Sequence, residues 1–195
     1  ETEIKIKTAA KSLFLEKGYS ATTTRDISKE SDINLALLNY YFTSKKKLFE
    51  IIMLETFYDF ISKMVEVYND EKSSLEEKLE LTSSKYIDMI IAEPHLPTFV
   101  VNELKNNPSS ILNILKGQIM ESKLVDQYND GVKKGIYKEL DPIHFVTNIL
   151  SLIVFPFISS PIIIKMKKFS RKEFNEMMNE RKKLIPEWII KMIKK

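Results

Sequence analysis

The chain has 195 residues, of which 44% are hydrophobic and 29% are charged, and it contains four glycines and no cysteine. The absence of cysteine excludes disulfides, thiolate metal sites and cysteine nucleophiles, and it suits the reducing cytoplasm, where we expect the protein to work. Scarce glycine in a sequence rich in Leu, Ile, Lys and Glu favours a mostly helical chain.

The chain's net charge of +3 is concentrated near its N-terminus. Residues 1–48 hold nine of the 30 Lys and Arg and six of the 27 Asp and Glu, which leaves 21 of each sign for residues 49–195. A local positive excess is what a phosphate-binding module needs, although three charges are few enough to arise by chance.

The N-terminal quarter predicts three short helices and the start of a longer one. Apolar residues at helical spacing predict a helix over 3–17, which Gly18 would end in the left-handed conformation. The other predicted helices cover 24–31, 35–41 and a stretch that begins at Lys45. Their start signals are a capping box formed by Thr23 and Asp26, and the N-cap residues Asn34 and Ser44.

The second and third predicted helices have the spacing of a helix-turn-helix that fits the major groove of DNA. Leu38 and Phe42 are placed to face inward, which leaves an outer face that is rich in Asn and Tyr. Asn can read adenine and Tyr hydroxyls reach phosphates, so this face favours DNA contact over plain solvent contact. The pattern alone also fits a three-helix unit that has no DNA-binding role.

The segment from Ile4 to Phe49 resembles the N-terminal domain of the TetR family of one-component regulators. The matching stretches are AAKSLFLEKGYSATT, TRDISKES and LLNYYFTSKKKLF. The resemblance implies an all-α fold, with a three-helix DNA-binding domain that contains the helix-turn-helix at 1–46 and a helical ligand-binding and dimerisation domain at 47–195. It also implies a homodimer that binds a palindromic operator in double-stranded DNA, usually as a repressor that a small molecule releases.

The resemblance also assigns roles in DNA binding to individual positions. It implies phosphate contacts from Thr23, Tyr41 and Lys45. It implies groove contacts from Arg25 and from the stretch 34–40, whose candidate residues are Asn34, Leu35, Ala36, Asn39 and Tyr40. The sequence departs from the family pattern at three places. Asp32 stands in place of the usual turn glycine, and Leu35, Ala36 and Asn39 are unusual in the third predicted helix, which is the recognition helix of the family. Lys46 and Lys47 occupy positions that are often acidic. These departures bear on the operator sequence rather than on the fold.

Further helices are predicted along the rest of the chain. A capping box at Ser73 with Glu76, or at Ser74 with Glu77, begins a helix that runs to about Ala92. The other predicted helices cover 97–105, 109–134, a segment that begins at the Asp141-Pro142 pair, 171–183, and a final set of turns from Pro186.

Residues 142–164 contain no Asp, Glu, Lys or Arg, and this uncharged run is long enough to span a bilayer. Its prolines, its serines and its amphipathic flanking helices favour a helix buried in a subunit interface instead, so we expect no membrane partner. The family resemblance implies the same role, with residues 142–160 and 171–194 forming a homodimer interface.

The resemblance further implies that the second domain binds an apolar small-molecule effector. The candidate lining residues are Phe60, Met64, Tyr86, Met89, Phe99, Met120, Leu124 and Tyr128, although residue by residue their spacing favours an ordinary core, and the pocket is implied only by the resemblance. No enzyme signature, cofactor motif or metal-ligand spacing is found. An alternative function is a helical carrier or sequestering protein for an apolar molecule, which would keep its ligand affinity when Tyr41 and Lys45 are replaced by Ala.

Overall fold

The computed structural model describes the backbone of residues 1–106 and 108–195, and the side chains of all of these except 110, 111 and 113–115. Within these residues the chain forms α-helices and one π-helical segment but no β-strand, which confirms the predicted all-α class. The chain divides into two compact units, residues 1–59 and 60–195, with the division inside the fourth helix. The functional boundary expected after residue 46 stays a prediction.

The first unit contains the four predicted helices. They are α1 (Thr2–Lys17), α2 (Thr24–Ser31), α3 (Leu35–Tyr41) and the first part of α4 (Lys45–Asn69). Its core is a set of buried apolar side chains from all four helices, among them Ile6, Phe14, Ile27, Leu38 and Leu48. Gly18 ends α1 with φ 81° and ψ 159°, so the predicted left-handed helical cap is wrong in ψ, although the positive φ still favours glycine.

The second unit contains the end of α4 and all later helices. These are α5 (Leu75–Ala92), α6 (Leu96–Asn106), α7 (Pro108–Asn113), the π-helical segment Ile114–Met120, α8 (Lys123–Lys133), α9 (Pro142–Ile158), α10 (Ser160–Lys167) and α11 (Arg171–Ile193). Of the two candidate capping boxes, Ser74 with Glu77 is the one that forms, and the start of a helix after Asp141 is also confirmed.

Two predicted helix boundaries in this unit are wrong. The expected single helix over 109–134 is divided, because Ser122 is extended and both its amide and its hydroxyl bind the carbonyl of Ile119. The expected break before Pro186 is absent, because Pro186 lies inside the continuous helix α11. Pro186 belongs to the buried face of α11, which packs along α5, and this packing holds the helix together across the lost hydrogen bond.

A second internal proline, Pro156 in α9, has a specific partner on α11. Proline has no amide hydrogen, so Pro156 leaves the carbonyl of Leu152, four residues earlier, without its helical donor. The Nη2 atom of Arg181 donates a hydrogen bond to that carbonyl at 2.8 Å. The same guanidinium lies 5.0 Å from the ring centroid of Trp188. Arg181 therefore links α9 to α11 by replacing a missing backbone donor.

The uncharged run 142–164 is shared between α9 and the start of α10. No single helix in the described part of the chain is long and apolar enough to cross a bilayer. Helices α9 and α10 are long and apolar enough only when they are taken together, and they are bent by 61° with respect to each other.

Candidate nucleic-acid interface

Helix α2 begins at the predicted capping box. The Thr23 hydroxyl accepts a hydrogen bond from the Asp26 amide at 3.1 Å, and the Thr23 amide donates to the Asp26 carboxylate at 2.8 Å. The hydrogen bonds that the Thr23 amide and hydroxyl donate to the Asp26 carboxylate lower its pKa below the ordinary value. The Thr23 hydroxyl also donates to the same carboxylate at 2.8 Å, so both donors of Thr23 already point at Asp26. The contact of Thr23 with phosphate stays a prediction.

The turn between α2 and α3 is held by polar side chains. Asp32 adopts the left-handed conformation (φ 55°, ψ 36°), which Asp tolerates better than most residues and which the usual glycine would adopt freely. The Ser28 hydroxyl donates to the Ile33 carbonyl at 2.6 Å. The Asn34 side chain accepts from the Leu37 amide at 2.8 Å, which confirms Asn34 as the N-cap of α3. The turn therefore fixes the direction in which α3 leaves α2.

Helix α3 has one buried face and one exposed face, as predicted. Leu38 and, directly after the helix, Phe42 are buried and anchor it to the unit. The exposed side chains are Leu35, Ala36, Asn39, Tyr40 and Tyr41, with Tyr40 81% exposed. The sequence of α3 contains no charged residue. This exposed face can offer hydrogen bonds and apolar contacts to base edges, but any charge attraction to phosphates must come from neighbouring segments.

Lys45, at the start of α4, is bound within its own unit. Its Nζ donates to the Tyr19 carbonyl at 2.9 Å and to the Thr22 carbonyl at 2.8 Å, and it lies 4.3 Å from the centroid of the Tyr19 ring. Two of its three N–H donors are thus used to tie α4 to the loop between α1 and α2. The predicted contact of Lys45 with phosphate stays a prediction, and Lys45 has a clear role in positioning the helix.

Tyr19 and Thr22 are positioning residues that the sequence did not predict. Thr22 is completely buried, and its single hydroxyl hydrogen is shared between the carbonyls of Gly18 and Leu13, at 2.9 and 3.1 Å. The only signal in the sequence is that both lie in the stretch GYSATT, which matches the family pattern. Nothing in the local pattern connects this stretch to Lys45, which lies more than twenty positions later.

Exposed cations lie before and after α3 in the sequence. Arg25 is exposed in the first turn of α2. The side chains of Lys46 and Lys47, in the first turn of α4, are 79% and 59% exposed, and both lie within 4 Å of the Glu50 carboxylate. Surface ion pairs of this kind are weak, so these cations remain available to an anionic partner.

The predicted ligand-binding residues lie in more than one cluster of the second unit. Phe60 and Tyr86 form an edge-to-face pair 4.5 Å apart, and burial raises the pKa of Tyr86 to about 12. Tyr128 stacks instead on Phe145 at 4.6 Å and donates its hydroxyl to the Lys138 carbonyl. Met64, Phe99 and Leu124 are buried, whereas Met89 and Met120 are half-buried. Their role in ligand binding stays a prediction.

Comparison with known proteins agrees with this geometry. Residues 6–52 match the family model described as bacterial regulatory proteins, tetR family. The chain is 30% identical over 166 residues to the probable HTH-type transcriptional regulator YttP of Bacillus subtilis, which covers 83% of this chain and 80% of that protein. It is 31% identical over 142 residues to IcaR of Staphylococcus aureus, the HTH-type negative transcriptional regulator of the biofilm operon icaADBC (69% and 73% covered).

A solved structure shows the same fold over nearly the whole chain. It is the transcriptional regulator FadR of Bacillus subtilis in complex with stearoyl-CoA, with a TM-score of 0.64, 22% identity, and coverage of 97% of this chain and 98% of that one. A helix-turn-helix with an exposed recognition helix, followed by a helical second unit, defines the class as a DNA-binding transcriptional regulator. The chain belongs to the TetR family of bacterial regulatory proteins.

Proposed function

We propose that this regulator is a cytoplasmic repressor that binds a palindromic operator as a homodimer and is released by a small apolar molecule. The observation that carries the proposal is the exposed, uncharged face of α3, which is held outward by the burial of Leu38. The related IcaR is a negative transcriptional regulator, which supports repression. FadR, which shares the fold, was solved with stearoyl-CoA, which supports a ligand with a large apolar part.

In the proposed complex, α3 enters the major groove. Asn39 and Tyr40 read base edges, and Leu35 and Ala36 contact thymine methyl groups. Residues on either side of this face hold the sugar-phosphate backbone or the edge of the groove, and they are Thr23, Arg25, Asn34, Tyr41 and Lys45. Lys46 and Lys47 add an attraction to phosphates that does not depend on the DNA sequence.

The proposed dimer forms through residues 142–194. Large apolar side chains are exposed along α9 and α11, where a monomer in water gains nothing from them. Phe155 is 64% exposed on α9, and Trp188 and Met192 are more than a third exposed on α11. Exposed apolar side chains on two helices that pack on each other favour an interaction surface, and a two-fold axis would bury the same side chains from both copies.

The proposed effector site is the apolar interior of the second unit. Its candidate residues are those named from the sequence, with the Phe60–Tyr86 pair as the best-defined contact. A ligand that binds one arrangement of the dimer more tightly than another shifts the population toward it, and DNA affinity changes accordingly.

Selection of bound sequences from random DNA with the purified chain tests the proposal. We expect two inverted half-sites whose centres are about one helical turn, 34–36 Å, apart or a little more. On the selected site, Tyr40→Ala should weaken binding by about tenfold or more, and affinity should fall steeply with salt. Tyr58→Ala is the matched control, because Tyr58 is an exposed tyrosine of the same unit that lies on α4 rather than α3. No binding to any sequence at low salt, or equal losses in the two variants, would refute the role given to α3.

A further inference from the structure

A small cavity of about 140 Å³ lies in the second unit, where the end of α5, the junction of α9 and α10, and the start of α11 meet. The end of α5 contributes Ile90 and Ile91, followed by Pro94. The junction of α9 and α10 contributes Phe157 and Ser160, and the first two turns of α11 contribute Arg171 and Asn175. None of these residues was among the predicted ligand-binding positions.

The polar side chains of this cavity form no hydrogen bond or ion pair with the described residues. Ser160 is 92% buried, since only 8% of its surface is exposed, and its hydroxyl forms no hydrogen bond with any described residue. The side chains of Arg171 and Asn175 likewise form neither an ion pair nor a hydrogen bond with described residues, although the Arg171 guanidinium faces the Phe174 ring at 5.9 Å. The Ser160 hydroxyl keeps some accessible surface although the residue is mostly buried, so a ligand or water in the cavity can reach it and complete its hydrogen bonding.

The charge of the cavity selects an anion. Of the described residues that line it, Arg171 alone carries a charge. Both α10 and α11 begin here, and the partial positive charge of a helix N-terminus adds to the attraction. The ends of α5 and α9 carry the opposite partial charge, and Glu173 lies in the first turn of α11. The guanidinium of Arg171, which is an exposed residue at the mouth of the cavity, therefore has to supply the net attraction.

The size of the cavity and its apolar walls limit the rest of the ligand. The walls formed by Ile90, Ile91, Pro94 and Phe157 are apolar, and a cavity of about 150 Å³ is large enough for a benzene ring. A planar guanidinium binds a carboxylate through two parallel hydrogen bonds. We infer that this cavity is a binding site for a small monocarboxylate with an apolar body of about six carbon atoms, such as an aromatic or branched-chain acid.

The inference is separate from the proposed role of the apolar interior, and it requires no DNA. Isothermal titration calorimetry on the full chain, with benzoate, phenylacetate and isovalerate as probes, tests it directly. Each acid is paired with its neutral amide, which has nearly the same shape. We expect saturable binding of at least one acid and binding of its amide that is weaker by about tenfold or more, because the charge-assisted pair is lost. This comparison uses the natural chain, so it does not depend on the folding of any variant.

Variants of neighbouring residues locate the binding site. Arg171→Gln should weaken binding of the acid by about tenfold or more, whereas Arg171→Lys should retain part of it. Lys172→Gln is the matched control, because it removes the same charge one position along α11 from a side chain that is 86% exposed and does not line the cavity. The inference is overturned if no acid binds saturably, if acid and amide bind equally, or if Arg171→Gln and Lys172→Gln have the same effect while both variants unfold at the natural chain's temperature.

Discussion

The hydrogen bond from Arg181 to the carbonyl of Leu152 should stabilise the second unit only because Pro156 cannot make it. Arg181→Met removes the donor while keeping most of the apolar stem. An unsatisfied buried carbonyl costs about 1–3 kcal/mol, and loss of the contact with Trp188 adds about 0.5–1 kcal/mol. Because Arg181 and Leu152 are half-buried, water compensates in part, and we expect the free energy of unfolding to fall by about 2 kcal/mol.

Restoring the backbone donor should remove most of this effect. In a Pro156→Ala background, the amide of residue 156 can bond to the Leu152 carbonyl, so Arg181→Met should cost only about 1 kcal/mol or less, which is the contact with Trp188. The two substitutions should therefore be coupled by about 1 kcal/mol or more in a double-mutant cycle.

Urea unfolding followed by tryptophan fluorescence measures this coupling. Trp188 is the only tryptophan of the chain and lies against Arg181, so its signal reports the second unit. All variants must be compared at one protein concentration, since dimerisation would shift the apparent stability. Lys182→Met is the control, because its ion pair with Asp88 involves a mostly exposed carboxylate and no missing backbone donor. Equal costs of Arg181→Met in the two backgrounds, within about 0.5 kcal/mol, would refute the assigned role.

Three further predictions concern single positions. Gly131→Ala should destabilise the second unit by about 1–3 kcal/mol, measured by urea unfolding, because its Cβ would overlap the ring of buried Tyr137; an unchanged midpoint would contradict this. Hydrogen bonds from Ser74 lower the pKa of Glu77, so their stabilisation is present above the ordinary pKa of 4.5 and lost as pH falls through the folded-state value. Glu77→Gln should therefore lower the melting temperature at neutral pH and make it fall less steeply in acid. The prediction fails if the melting temperatures of the variant and the natural chain change with pH in the same way. Asp32→Asn keeps a residue that tolerates the left-handed turn but removes a negative charge near the proposed DNA surface, so operator affinity in fluorescence anisotropy should rise about threefold or more at low salt, and an unchanged affinity would place Asp32 away from DNA.

Much of the first unit could be predicted because its signals are local. The capping pair of Thr23 and Asp26, the N-cap Asn34 and the inward positions Leu38 and Phe42 all act within one helical turn of their own position. The exposed face of α3 follows from the same pattern. The predicted roles of these residues toward DNA came from the family resemblance rather than from spacing, and they remain to be measured.

The wrong boundaries in the second unit have two different causes. Pro186 reads as a helix end by local rules, but its packed, buried face keeps α11 continuous. Ser122 reads as an ordinary helical position, yet its bonds to Ile119 divide the expected helix. At Pro186, local propensity differs by less than the packing energy that opposes it. At Ser122, the serine's own hydrogen bonds compete with the helix, and the sequence pattern does not show which of the two wins.

The order of residues by itself determined where most helices begin, which faces of the first unit are buried, and the family to which the chain belongs, since each depends on neighbours within a few positions or on an unbroken stretch. Only the tertiary structure decided that Lys45 binds the carbonyls of Tyr19 and Thr22, that Arg181 serves the carbonyl freed by Pro156, and that Arg171 and Ser160 share a cavity. Those pairs join residues that are distant along the chain, and their meeting depends on how whole helices pack.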